Sequence, residues 1–110
     1  MIEIQAVLDD AGLLRSCKAQ GHAGAGKQGA DIVCAAVSVL IRTAVNVLSN
    51  KKGITLRVDA PERGFLWLEA DYSAEGKGFL SAAGEFLIAG LRSVAEEFPE
   101  NCTLSVERRI

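Results

Sequence analysis

Hydrophobic and polar residues alternate over residues 2–8, with Ile2, Ile4, Ala6 and Leu8 on one face and Glu3 and Gln5 on the other. A period of two marks a strand with one buried face. Asp9, Asp10, Ala11 and Gly12 follow as a turn signal, and residues 13–20 resume as a second strand, so the chain opens with a hairpin. From residue 31 apolar residues fill nearly every turn, while Ser38, Arg42 and Asn46 recur at four-residue spacing. That spacing predicts a long, largely buried helix over about residues 31–49. It ends at Asn50-Lys51-Lys52-Gly53, where cations and a glycine suit a helix C-terminus.

Alternation returns at residues 54–59, with Ile54, Leu56 and Val58 inward. Residues 60–64 read as a turn and residues 65–72 as the paired strand. A second helix is predicted over about residues 76–98, its core stripe formed by Phe79, Leu80, Ala83, Phe86, Leu87, Gly90, Leu91, Val94 and Phe98. Pro99 stops it, and residues 102–108 close the chain as a strand. The order ββαββαβ predicts an α+β fold. Hairpins imply a mostly antiparallel sheet, and two helices suffice to cover one of its faces in a two-layer sandwich. At 110 residues the whole chain, 1–110, reads as one domain with one core. Its two ββα halves share a layout without a residue-level repeat.

Composition narrows the class. Hydrophobic residues are 49% and charged residues 24%, with a formal net charge of −2. Basic residues are scattered, which argues against direct contact with nucleic acid or an anionic membrane. The first residues lack the basic region of a secretory signal, and no continuous apolar run reaches membrane-span length. The cytoplasm is the default compartment. The three cysteines, Cys17, Cys34 and Cys102, are too widely spaced for zinc, and there is one histidine. In a reducing compartment the plain reading is three free, buried thiols, which suits Cys17 and Cys102.

Cys34 invites a second reading. If the helix starts at Asp31, that residue is a good N-cap, and Cys34 falls in the first turn. The positive helix end there favours a thiolate, the nucleophile of covalent catalysis. His22 is the sole imidazole. It stands at the mouth of a glycine-rich segment, residues 21–30, that separates the second strand from the helix. Twelve positions separate it from Cys34, a span a loop can fold back across. Alone, His22 reads as a loop histidine and Cys34 as a core cysteine; together they are what a minimal Cys–His dyad requires. Asp31 either caps the helix or orients the imidazole, as in triad logic. Ser38, one turn past Cys34, either bonds back to the Cys34 carbonyl or points a hydroxyl into the site.

Residues 21–28 also match G-x-x-x-x-G-K between a strand and a helix, the start of a phosphate-binding loop. Gln28 stands where a magnesium-binding Ser or Thr belongs, Asp31 would repel phosphates, and the surrounding strands read as antiparallel. The nucleotide-binding reading is set aside on those grounds.

The run Gly21-His22-Ala23, a glycine-bearing loop, then Gly29-Ala30-Asp31-Ile32-Val33-Cys34-Ala35-Ala36-Val37-Ser38 closely resembles the signature of the ribosomal-processing cysteine proteases, the Prp family. The resemblance covers essentially the whole chain. It implies a cysteine endopeptidase that removes a short N-terminal extension from a large-subunit ribosomal protein through a thioester, with Cys34 and His22 as the dyad. Gly21, Asp31 and Ser38 match its other motif positions. It further implies a homodimer, a mobile segment around residues 22–33 that closes over substrate, aromatic residues just before the cut, and no metal or cofactor. Lys27 and Gln28 receive no role. The class-different alternative is a non-catalytic ribosome-assembly or peptide-binding module with Cys34 in its core.

Overall fold

A computed structural model describes residues 1–21, 30–62 and 64–109. The glycine-rich segment after Gly21, and with it His22, lies outside the described residues. So do the side chains of Ala30 and Asp31. The elements are β1 (Ile2–Leu8), β2 (Leu14–Gln20), α1 (Ala30–Leu48), β3 (Ile54–Asp59), β4 (Phe65–Tyr72), α2 (Lys77–Glu97) and β5 (Cys102–Arg108), with a short 3-10 turn before α2. The order ββαββαβ is the expected one. Four of the five strands begin and end where the alternation placed them.

The strands form one five-stranded sheet in the order β3-β4-β2-β1-β5. The two hairpins are antiparallel, and β2 joins them by pairing with β4, also antiparallel. The last strand runs parallel to β1, because α2 carries the chain back across the sheet before β5 begins. This topology puts the starts of β1, β4, β5 and α1 at one end of the sheet, with the ends of β2, β3 and α2.

Both helices cover one face. The core joins Ile2, Ile4, Ala6, Leu14, Cys17, Ala19, Leu68 and Ala70 of the sheet to Val33, Val37, Ile41, Ala44 and Leu48 of α1, and to Leu80, Leu87 and Leu91 of α2. The buried positions on each helix recur every three or four residues, as a single buried stripe requires. A Cβ built on Gly90 would stand 2.8 Å from Leu40 Cδ2, so α1 and α2 approach closely there.

Two expectations about the helices need correction. α1 is half exposed: Ile32 and Val39 are 59% and 62% accessible. The core stripe of α2 is narrower than read, since Phe86 is 75% accessible and Phe79 39%. One sheet buries only one side of each helix, and large apolar residues on the outer side were counted into the core. The 3-10 turn and α2 together, Ala74–Glu97, are long and apolar enough by composition to span a membrane. In this fold the inner side of that helix packs on the sheet.

Candidate active site

The site is built on the N-terminal end of α1. The helix already includes Ala30, so Asp31 is its second residue rather than its cap. Cys34 is correspondingly the fifth helical residue, one turn in rather than in the first turn. Helical Cα–Cβ bonds tilt toward the N-terminus, so its side chain extends back over the first turn and its free N–H groups.

The helix face then sorts the neighbours of Cys34. Leu40 marks the side of α1 that meets α2. At 100° per residue, Cys34 and Ser38 fall across the buried stripe Val33–Val37–Ile41 from it, on the flank turned away from α2. Both are half-buried. Ser38 does not donate to the Cys34 carbonyl, although Thr43, Ser49 and Ser93 each bond back one turn, to Val39, Val45 and Ala89. The Ser38 hydroxyl is left to face the same surface as the thiol.

The three thiols are all unbridged but differ in setting. Cys17, in the middle of β2, has no accessible surface, and burial pushes its thiol up to about 12. Cys102, at the start of β5, is 1% accessible, and burial raises it as well. Desolvation penalises the thiolate and makes such groups inert. Cys34 alone among them reaches the surface.

Gly21, the last described residue before α1, is fixed by its backbone. It follows β2 with φ +126°, and a Cβ there would lie 2.1 Å from the Met1 carbonyl oxygen. Only glycine fits both the dihedral and the contact. Its N–H donates to the Gly64 carbonyl at 3.0 Å, tying the end of β2 to the β3–β4 turn. Gly64, itself at φ +84°, is a positioning residue the sequence reading passed over as part of a turn.

A groove of about 460 Å³ lined by Arg15, Lys18, Arg57, Glu69, Asp71 and Arg109 lies on the open face of the sheet, across it from Cys34. It takes no part in the thiol site.

On this α+β scaffold Cys34, near the start of a helix, is the one thiol of the three that can meet a reactant from solution, its two companions being sealed in the core. The chain belongs to the family Cysteine protease Prp, whose model matches residues 1–103, and it is a cysteine protease. No curated protein sequence matches it. Among solved structures it resembles SMU.848 from Streptococcus mutans at 30% identity and TM-score 0.78, over 98% of this chain and 95% of that one. It also resembles the essential ribosomal processing protease Prp of S. aureus in complex with a substrate peptide, at 21% identity and TM-score 0.81, over 96% of this chain and 99% of that one. The same S. aureus protease with a covalently linked product peptide matches at 22% identity and TM-score 0.80, with the same coverage. These structures carry the α+β architecture described above.

Proposed function

We propose that this chain is an endopeptidase that removes the short N-terminal extension of a large-subunit ribosomal protein in the cytoplasm, acting as a homodimer. Cys34 is the nucleophile and His22 its base. His22 takes the thiol proton, the thiolate attacks the scissile carbonyl, and the amine leaves as a thioester forms. Water then hydrolyses the thioester. Backbone N–H groups at the start of α1 are suited to hold the oxyanion. Asp31 supports the helix start, Ser38 faces the thiol's surface, and Gly21 fixes the root of the segment that bears His22. The reaction as written calls on no metal or cofactor.

The observation that carries this reading is the placement of the one accessible thiol, Cys34, one turn into α1 and inside the GHA…DIVCAAVS signature. Membership of a cysteine protease family supports it, and the S. aureus relative is described with substrate and product peptides. The test is mass-spectrometric cleavage of a ribosomal-protein peptide bearing its N-terminal extension. Wild type should release one N-terminal fragment. Cys34→Ser and His22→Ala should each lower the rate by at least about a hundredfold with the fold intact by circular dichroism. A Cys34→Ser protein that cleaves at the wild-type rate would refute the assignment.

A further inference from the structure

The sheet ends at β3, whose outer edge has no neighbouring strand among the described residues. The Ser73 N–H donates to the Gly53 carbonyl at 2.8 Å, which makes Gly53 and Ser73 a directly bonded pair. Bonded and non-bonded pairs alternate along an antiparallel ladder. Thr55 and Arg57 therefore turn their main-chain groups into β4, opposite Asp71 and Glu69, while Ile54, Leu56 and Val58 turn theirs outward. The Ile54 N–H is already given to the Lys51 carbonyl. Leu56 and Val58 line the open edge with an N–H and a C=O each. Sheet edges are ordinarily blunted by proline, a bulge or an inward charge. The run ITLRVD has no proline, keeps a regular register with β4, and sets Leu56 and Val58 beside the buried Ala70 and Leu68 on the helix side. α1 lies against β3, so the α1 flank turned away from α2, with Cys34, Ser38 and Val45, faces out over this edge. Val45 and Leu56 are half-buried and Val58 is 41% accessible, which gives the recess between flank and edge apolar walls. The helix from Leu48 back to Cys34 rises about 21 Å, and β3 from Ile54 to Asp59 about 17 Å. Cys34 thus stands at the far end of the recess, just past Asp59.

We propose that the open edge of β3 takes the substrate's main chain as a further strand of the sheet and leads it to Cys34. This rests on the protease reading and adds where the peptide lies. An extended peptide turns N–H and C=O groups to one side at every second residue, which is the spacing of Leu56 and Val58. Side chains on the helix side of the added strand pack against Leu56, Val58 and Val45, which selects apolar residues at alternate substrate positions. A single strand is one chain thick and fits beside the flank of α1. A second copy is the competing occupant. Pairing β3 with β3 would bring the two α1 flanks together, and with them Arg42, which is exposed next to Ser38 on that flank and has no ion-pair partner among the described residues. Like charges brought together disfavour that pairing; a peptide strand brings no second helix.

Amide hydrogen exchange followed by NMR reads the edge directly. In the free protein the Leu56 and Val58 amides should exchange fast and those of Thr55 and Arg57 slowly. Saturating the Cys34→Ser protein with the extension-bearing ribosomal-protein peptide should slow Leu56 and Val58 at least about tenfold. Val58→Pro deletes an outward N–H that β4 does not use, so the strand should still form. Its kcat/KM on the same peptide should fall at least about tenfold, whereas Val58→Thr, which keeps the N–H, should stay within about threefold of wild type. Saturation by peptide without slowing of Leu56 and Val58, or a Val58→Pro protein that cleaves at the wild-type rate, overturns the edge and leaves the protease reading standing. A wild type that neither binds nor cleaves the peptide refutes that reading and the edge with it. Slowing of both amides as protein concentration rises, with no peptide present, would assign the edge to a second copy instead.

Discussion

The two ends of the sheet are built differently. At the end far from Cys34, side chains add to the main-chain bonds, such as Ser73 N–H to Gly53 and Arg109 N–H to Leu8. The Asp9 carboxylate accepts from the backbone of Ala11 and Leu13 and from the Tyr72 hydroxyl, while Arg15 pairs with Asp71 and lies over the Tyr72 ring. At the Cys34 end, among the described residues, the backbone does the fastening: Gly21 N–H to Gly64, Phe65 N–H to Glu62, and Ile2 N–H to Asn101. A side-chain clamp fixes a turn but fills the space around it. Main-chain bonds hold strand ends together with no side chain in the clamp, and Gly21 and Gly64 form one of them. The anchoring end is thereby tunable by charge, and the reactive end is sensitive to shape.

Of the substitutions that probe this contrast, the one at Gly21 should have the largest effect on stability. Gly21→Ala must relieve a 2.1 Å contact with a backbone oxygen and a φ of +126°. Neither the atom nor the dihedral can yield cheaply. We expect a loss of about 3 kcal/mol in denaturant unfolding. Asp71→Ala, at the other end, removes a surface ion pair and should cost under about 1 kcal/mol. Equal costs would erase the distinction between the ends.

This contrast was only partly legible in the sequence. The strands were readable because Ile2-Ile4-Ala6 and Leu66-Leu68-Ala70 alternate cleanly, and alternation reports directly on a sheet with one covered face. The helices were readable as elements but not in their orientation. Phe79 and Phe86 share the helical spacing of Leu80 and Leu87, so hydrophobicity alone could not say which stripe faces the sheet. The parallel pairing of β5 with β1 is likewise a property of the crossover through α2, not of residues 102–108. Cys34 stood out through the motif around it, whereas the boundary at Ala30 moved it from the first turn to the second. The tie between Gly21 and Gly64 joins residues far apart in sequence, and no local pattern announces it.

The thiols sharpen the comparison next. Iodoacetamide applied to folded protein should label Cys34 and spare Cys17 and Cys102 by at least about tenfold, because a sealed, protonated thiol does not react. Peptide mapping reads this directly. His22→Ala should slow labelling of Cys34 without exposing the other two. Replacement reverses the order of sensitivity. Cys17→Ser puts a hydroxyl in a position with no accessible surface and should cost about 1–3 kcal/mol, whereas Cys34→Ser, half-buried, should cost under about 1 kcal/mol. Preferential labelling of Cys17 would mean that β2 opens more readily than the paired strands on either side of it allow.

The smallest effect concerns pH and belongs to the anchoring end. The Tyr72 hydroxyl, then the Leu13 and Ala11 backbone, hold the Asp9 carboxyl below its ordinary value against an opposing cost of desolvation. A carboxyl whose folded pKa is depressed binds its proton more weakly when folded than when unfolded. Its contribution to stability is complete above the unfolded value of about 3.9. It is lost as pH falls through the lowered folded value, where the proton is taken up in both states. Asp9→Asn keeps the turn-forming amide oxygen and removes the charge that strengthens the Tyr72 bond. At pH 7 it should melt about 3 °C below wild type, a modest shift because the site is open to solvent. Between about pH 4 and pH 2 the two melting curves should converge. Tyr72→Phe should behave the same way, since the hydroxyl is the largest of the influences that lower Asp9. A gap that holds constant from pH 7 to pH 2 would assign the difference to packing of the turn rather than to the charge. Activity measured alongside at pH 7 should not change in either variant, because the clamp sits at the opposite end of the sheet from Cys34.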